Sequence, residues 1–242
     1  MKHFALIGFP LGHSLSAKYF AEKFSAEGIE ADYTPLPIES AEEVLPHCEH
    51  LAGFNVTSPH KQAIIPLLAT ISEEAQEIGA VNCVKVTPDG LEGYNTDVLG
   101  ICKSLEGVTL EGAKALVLGT GGASKAVQYV LRKGGAEVKV VSRTPGVADL
   151  TYNDLSEECI AECDIIVNTT PLGMFPNVDC APELPYSALS VKHTLFDCVY
   201  NPRQTKFLQL GAERGARTID GLTMFHAQAE ASWEIWQFPT KW

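Results

Sequence analysis

Short apolar runs alternate with longer stretches of helical spacing through the first third of the chain. The run at 3–8 (HFALIG) ends in Gly-Phe-Pro and predicts a buried strand. Beyond it Leu15, Tyr19, Phe20 and Phe24 recur at helical spacing, which predicts a helix over 14–28 with Ser14 as its cap. Two further strands are predicted at 31–37 (ADYTPLP) and 53–57 (GFNVT), each followed by a helical pattern, over 40–51 and 59–71. The order βαβαβα implies a parallel sheet with helices on both faces. Residues 82–95 differ: two alternating runs meet at Pro88-Asp89-Gly90, a hairpin signal that marks the edge of this first unit. A helix is predicted over 95–105. After Gly107 and Gly112 a second βα series begins at Lys114, with later strands at 164–170 (DIIVNTT) and 194–200 (TLFDCVY). The final stretch, 221–236, has helical spacing and is expected to return to the first domain.

Composition narrows the functional classes. A chain of 242 residues with 45% hydrophobic content can bury a full core. A formal charge of −12 argues against a nucleic-acid or anionic-membrane surface and favours a small-molecule partner. The first ten residues carry too short an apolar run for a signal peptide, and no stretch reads as a membrane span. Seven cysteines at irregular spacing, without a CxxC, fit reduced thiols in a cytoplasmic protein. His47 and His50 flank Cys48, but no further ligand stands at suitable spacing, so no metal is expected.

Gly119-Thr120-Gly121-Gly122-Ala123-Ser124 follows a strand pattern and opens a helical one, the context that a dinucleotide-binding turn requires. Gly119 permits the tight turn, Gly121 lets backbone approach a pyrophosphate, and the small Ser124 allows close packing, while helix amides face the phosphate charge. A glycine-rich loop without a ligand is the plainer alternative. The next strand ends in Ser142-Arg143-Thr144, where an acid would bind a ribose 2′-hydroxyl and repel a 2′-phosphate. Arg143 offers positive charge and a planar fork of donors, which favours NADP over NAD unless it is an ordinary surface arginine.

A polar constellation gathers in the first domain. Asn55 and Thr57 share a strand face, Pro59 suits a first helical turn, and Lys61 falls in that same predicted turn. A lysine there opposes the positive end of the helix dipole, so either it is a tolerated solvated side chain or the position serves chemistry. Asp97 fits a helix cap or first-turn acid equally well. Ser14 and Ser16 follow the first strand, and Asn82 precedes the hairpin. Each has a local reading as a cap or turn residue. In a parallel α/β unit strand ends gather on one rim, so residues 14, 16, 57, 61 and 97 are expected to converge at one cleft.

The blocks GHSLS (12–16), NVTSPHK (55–61), GAVN (79–82), NTD (95–97), GTGGAS (119–124), SRT (142–144), NTTPLGM (168–174), FDCVYNP (196–202) and GLTMFHAQ (221–228) span nearly the whole chain, and the sequence resembles the shikimate dehydrogenases. The resemblance implies an α/β substrate-binding domain over 1–102, joined by a C-terminal helix over 221–242. It implies a Rossmann-type, doubly wound parallel-sheet domain binding NADP over 103–220. The implied activity is reversible NADPH-dependent reduction of 3-dehydroshikimate to shikimate, on the route to aromatic amino acids, by a cytoplasmic monomer or homodimer. By the same resemblance Ser14, Ser16 and Thr57 would hold the substrate carboxylate and nearby groups, Asn82, Asp97 and Gln228 its hydroxyls, and Tyr200 a further contact. Lys61 would work with Asp97 at the reacting oxygen, and Cys198, Gly221 and Met224 would line the nicotinamide. Ala17, Ser58, Cys83, Thr120, Ser142 and Pro145-Gly146 depart from the family pattern. A quinate/shikimate dehydrogenase using NAD is the nearest rival, and a noncatalytic nucleotide-sensing regulator the rival from another class. The presence of both Lys61 and Asp97 argues against the regulator.

Overall fold

Alternate residues of the first strand feed two different cores. Phe4 and Leu6 enter one apolar cluster and Ala5 and Ile7 another, as the two-residue period of a strand covered on both faces demands. The computed structural model describes residues 1–12 and 14–238. It divides into two compact units, 1–96 with 228–242, and 97–227.

In the first unit the elements are β1 (Lys2–Gly8), α1 (Ser16–Glu27), β2 (Ala31–Pro37), β3 (Gly53–Val56), β4 (Thr70–Ile71), α2 (Glu73–Ile78), β5 (Cys83–Thr87) and β6 (Gly90–Tyr94). The sheet runs β2-β1-β3-β5-β6-β4. It is mixed and not wholly parallel: β1 pairs in parallel with β2 and β3, but β5 runs antiparallel to both β3 and β6. The hairpin therefore lies inside the sheet, and the two-residue β4 forms the edge beside it.

Two of the three predicted helices of this unit are not α-helices. Residues 41–47 form a 3₁₀ helix, because Pro46 lacks the N–H that an α-helix would direct at Glu42. After β3 the chain makes one α-type turn, with Ile64 N bonding His60 O at 3.0 Å, and then a 3₁₀ turn at Ile65–Leu67. Pro66 removes the N–H that would reach Gln62, and the helix expected over 59–71 never propagates. Ser14 does not cap α1: Leu15 holds the N-cap position without a side-chain bond, and the Ser14 hydroxyl accepts from Ser16 N at 3.2 Å. α2, which the sequence reading missed, is signalled by Ser72, whose hydroxyl accepts from Ala75 N, and by Gly79 in the left-handed region at its end.

The second unit contains α3 (Asp97–Ser104), β7 (Lys114–Leu118), α4 (Gly122–Lys133), β8 (Glu137–Ser142), β9 (Leu150–Thr151), α5 (Glu157–Glu162), β10 (Ile165–Asn168), β11 (Thr194–Asp197), α6 (Lys206–Ala212), β12 (Arg217–Ile219) and the first turns of α7 (Leu222–Gln237). All its strands are parallel, in the order β12-β11-β10-β7-β8-β9. Counted from β7 this is 3-2-1-4-5-6, the doubly wound dinucleotide-binding order. Ile160 of α5 and Phe207 and Leu208 of α6 pack on one face of the sheet, and α4 packs on β7 and β8.

From Gln228 onward α7 belongs to the first unit. Its Trp236 stacks on Phe4 with centroids 4.6 Å apart and donates its indole N–H to Val84 O at 3.0 Å. Glycine is required at position 53, where a Cβ would lie 2.4 Å from the Trp236 ring. The range 221–242 expected for the last helix extends past Phe238 into residues outside those described, and His13 of the 12–16 block lies outside them too.

Trp236 is buried, so Trp236→Ala should destabilise the first unit by about 3–5 kcal/mol, read as a lower urea midpoint. In the second unit Asp197 is wholly buried, accepting from Thr205 Oγ1 at 2.5 Å, Asn168 Nδ2 at 3.0 Å and Val199 N at 3.0 Å. Burial nevertheless dominates and pushes its carboxyl from 3.8 up to about 6. Between those values the native state holds this proton more tightly than the unfolded state, so the contribution of Asp197 to stability grows as pH falls from 6 to 4. The stability of wild type relative to Asp197→Asn should therefore rise over that interval, by on the order of 2 kcal/mol in urea titrations at each pH. A flat difference would contradict the assignment.

Candidate active site

The first unit gathers its polar residues where β1 and β3 end. Thr57 N bonds Ile7 O at 2.9 Å and Phe9 N bonds Ser58 O at 3.1 Å, which keeps the two strand exits side by side. Gly8 makes this approach possible, since a Cβ there would lie 2.4 Å from Thr57 Cγ2. The loop leaving β1 carries Ser14, and Ser16 opens α1 as a buried residue. Antiparallel pairing brings β5 to the same rim by its starting end: Val56 N bonds Asn82 O at 2.8 Å, and Asn82 N bonds Tyr94 O at 3.1 Å. Lys61 is half-buried in the turn after β3, with its carbonyl accepting from Val81 N at 2.7 Å. No α-helix starts at Lys61, so no helix dipole acts on it, and the turn after β3 alone sets its position. Neighbouring His60 is buried and donates from Nε2 to Ile38 O at 2.7 Å, a structural part.

Beneath this rim a buried polar network ties Asn82 and Asn55 to Tyr33, Thr96 and Ser232, three residues absent from the sequence-derived site. Asn55 accepts from Tyr33 OH at 2.9 Å and donates to Asn82 O at 3.1 Å and Ser232 Oγ at 2.8 Å. Asn82 bonds Thr96 through both amide atoms, taking Thr96 N at 2.7 Å on Oδ1 and donating from Nδ2 to Thr96 Oγ1 at 3.0 Å. Thr96 Oγ1 lies 3.1 Å from Ser232 Oγ, which donates to the carbonyl of Gln228 at 2.9 Å. Burial of such groups is tolerated because each finds partners. Asn55 and Thr96 carried a signal, as polar residues inside or next to strand patterns. Ser232 carried none. Cys83 is fully buried, and burial raises its thiol to about 12, so it stays protonated.

Asp97 follows Thr96 directly and begins α3 as a buried first-turn acid, favourable toward the helix dipole.

In the second unit the parallel register again collects strand exits on one edge. Gly119 N bonds Val141 O, Thr169 N bonds Leu118 O and Cys198 N bonds Asn168 O, all at 2.9–3.0 Å. β7 and β10 flank the point where strand order reverses, the usual place for a nucleotide in such sheets. Gly119 has φ +110°, and a Cβ there would stand 2.8 Å from Thr169 Oγ1. Gly121 caps α4 without any side-chain bond, the first turn holds no acid, and nothing lies within 4 Å of a Cβ built on Gly121. Thr120 is exposed at the turn, while Gly122 and Ala123 start the helix half-buried. Ser124 is buried and donates to Gly119 O at 2.6 Å. At the end of β8, Ser142 is buried and accepts from Thr144 N at 3.0 Å, while Arg143 and Thr144 are exposed. An uncapped, open helix N-terminus after β7 and an exposed arginine at the end of the adjoining β8 fit a dinucleotide carrying an extra phosphate.

Cys198, Tyr200, Gly221 and Met224 also come together in this unit. Gly221 N bonds Val199 O at 3.1 Å, and a Cβ on Gly221 would lie 2.5 Å from Cys198 O. Met224 is buried, and Tyr200 packs against Phe225 with centroids 4.8 Å apart. The Asn168–Asp197–Thr205 network beneath them was not foreseen as a support, although FDCVYNP contains Asp197. Among the described residues no group of three His, Cys, Asp or Glu is placed to hold a metal ion.

A family model described as the shikimate dehydrogenase substrate binding domain matches residues 6–84. The shikimate dehydrogenase (NADP(+)) of Carboxydothermus hydrogenoformans is 37% identical over 253 residues, covering 96% of this chain and 90% of its own. That of Staphylococcus aureus is 39% identical over 248 residues, covering 96% and 91%. The crystal structure of shikimate 5-dehydrogenase from Thermus thermophilus, in complex with NADP(H) and shikimate, aligns with a TM-score of 0.87 at 33% identity, covering 98% of this chain and 94% of that one. With identity well above 30% sustained across both units, the chain belongs to the shikimate dehydrogenase family.

Proposed function

We propose that this protein is an NADP-linked oxidoreductase that interconverts 3-dehydroshikimate and shikimate. The observation that carries the reading is that one chain holds both the polar rim of the first unit and an uncapped α4 N-terminus, with Arg143 at the end of the adjoining strand β8. The relatives above bear the same activity in their names, and the Thermus thermophilus structure contains both compounds.

In this reading a set of polar side chains holds the substrate. Ser14, Ser16 and Thr57 donate hydroxyl hydrogens to its carboxylate and nearby groups, and Asn82, Asp97 and Gln228 bond its ring hydroxyls, with Tyr200 as a further contact. The second unit holds the nucleotide: Gly119, Thr120, Gly121, Gly122 and Ala123 take the pyrophosphate on backbone amides. Ser142, Arg143 and Thr144 take the 2′-phosphate, and Cys198, Gly221 and Met224 line the nicotinamide. NADPH, when bound, supplies the hydride. Reduction of a ketone builds negative charge on its oxygen, and the Lys61 ammonium stabilises that charge and delivers the proton. Asp97 acts with Lys61 in that proton transfer. No helix among the described residues is long and apolar enough to cross a membrane. In this reading the protein is a cytoplasmic enzyme, monomer or homodimer, and the charge of −12 favours a small-molecule partner over nucleic acid.

Lys61→Ala should lower kcat for shikimate oxidation by about 10²-fold or more while KM for shikimate changes little, as loss of a proton donor requires. An unchanged kcat in initial-rate assays would remove Lys61 from the mechanism. Arg143→Ala should raise KM for NADP by about tenfold and leave KM for NAD nearly unaltered. Equal effects on both nucleotides would show that Arg143 does not read the 2′-phosphate.

A further inference from the structure

One arrangement of hydrogens satisfies the buried network under the substrate rim, in which Ser232 also faces the Cys83 thiol. Ser232 Oγ lies 2.9 Å from the carbonyl of Gln228, and a carbonyl can only accept, so the single hydroxyl hydrogen of Ser232 is committed there. Ser232 can then only accept from Thr96 Oγ1 at 3.1 Å, alongside the bond it takes from Asn55 Nδ2 at 2.8 Å. The Thr96 hydrogen is thereby used, with Asn82 Oδ1 at 3.2 Å as a minor acceptor, and Thr96 Oγ1 takes a hydrogen from Asn82 Nδ2 at 3.0 Å. Thr96 N pointing at Asn82 Oδ1, at 2.7 Å, requires the same amide orientation independently. Asn55 is fixed too, because its two amide hydrogens go to Ser232 Oγ and Asn82 O and its oxygen takes Tyr33 OH. Ser232 is wholly buried and Asn82, Asn55 and Thr96 nearly so, which makes a reversal of any member costly.

We propose that Thr96 and Ser232 are positioning residues that set the amide face of Asn82 and the α7 turn carrying Gln228 for recognition of the substrate hydroxyls. This rests on the reading of Asn82 and Gln228 as hydroxyl ligands and extends it to two residues outside that ligand set. The chain of donation runs Asn82, Thr96, Ser232, Gln228 carbonyl, so β5, the β6–α3 junction and α7 are tied to one pattern of donors and acceptors. Asp97 follows Thr96 in the chain and inherits the same anchor. Preorganisation of this kind acts on binding, since an amide that turns over presents a donor where the ligand requires an acceptor.

The test compares Thr96→Val, which keeps shape and removes the hydroxyl, with Thr96→Ser, which restores it, in the full chain. The wild type is assayed first: absence of shikimate oxidation would overturn the proposed function, and this inference with it. With an active wild type, Thr96→Val should raise KM for shikimate by about tenfold, leave KM for NADP within about twofold, and be rescued by Thr96→Ser. A shikimate KM within about twofold of wild type in Thr96→Val would overturn the proposal even if Tm fell, because a purely structural network moves stability alone. Should Thr96→Val not fold, Ser232→Ala is expected to give the same selective rise, and an unchanged KM there is equally decisive. A neutron structure of wild type with shikimate supplies a readout free of substitutions: deuterium on Thr96 Oγ1 directed at Ser232 supports the chain, and deuterium directed away from it refutes it.

Discussion

Parallel pairing in register is the constraint on which the rest depends. When β1 lies beside β3, and β7 beside β10, with matched residues, their carboxyl ends must emerge together, and the loops that follow are brought to a common edge. In the first unit that edge receives Thr57, the Lys61 turn, the serines after β1 and, through the antiparallel β5, Asn82. In the second it receives Gly119, Ser142, Thr169 and Cys198. Close approach at both edges depends on residues without a Cβ, Gly8 against Thr57 and Gly119 against Thr169.

How much was legible in the sequence follows from which forces act locally. The nucleotide-binding unit read clearly because strand, glycine turn and helix are consecutive, so the chemistry of Gly119–Ser124 is visible within six residues. The hairpin at Pro88–Gly90 was equally local. The helices expected after β2 and β3 failed because the apolar spacing was right but Pro46 and Pro66 each delete an N–H from the ladder. The strands read as parallel, β1, β2 and β3, do pair in parallel, but nothing local reveals that the hairpin inserts between β3 and the edge.

The candidate site shows the same division. Lys61 was picked out by an argument about a helix terminus that does not exist, yet the turn it occupies is held to Val81 on the rim shared with Asn82. Ser232 could not be read at all, since its partner Asn55 lies 177 positions away and a serine on an apolar helix is ordinary. A buried network of this type is legible only after tertiary pairing, because each member looks like a routine core or cap residue until its hydrogen is assigned. The tie between Tyr19 and Lys23 of α1 and Glu230 of α7 is hidden for the same reason, and burial with the adjoining carboxylate raises the Tyr19 hydroxyl well above its usual range.

The proposed reaction involves two ligand chemistries, a polyol acid and a phosphorylated dinucleotide, and each makes a separate demand on selectivity. The most direct measurement is the initial rate of reduced-cofactor formation with purified protein, run with shikimate or quinate against NADP or NAD in all four combinations. The account predicts that shikimate with NADP gives the highest kcat/KM by at least about tenfold. A preference for quinate with NAD, or no turnover in any combination, would contradict it.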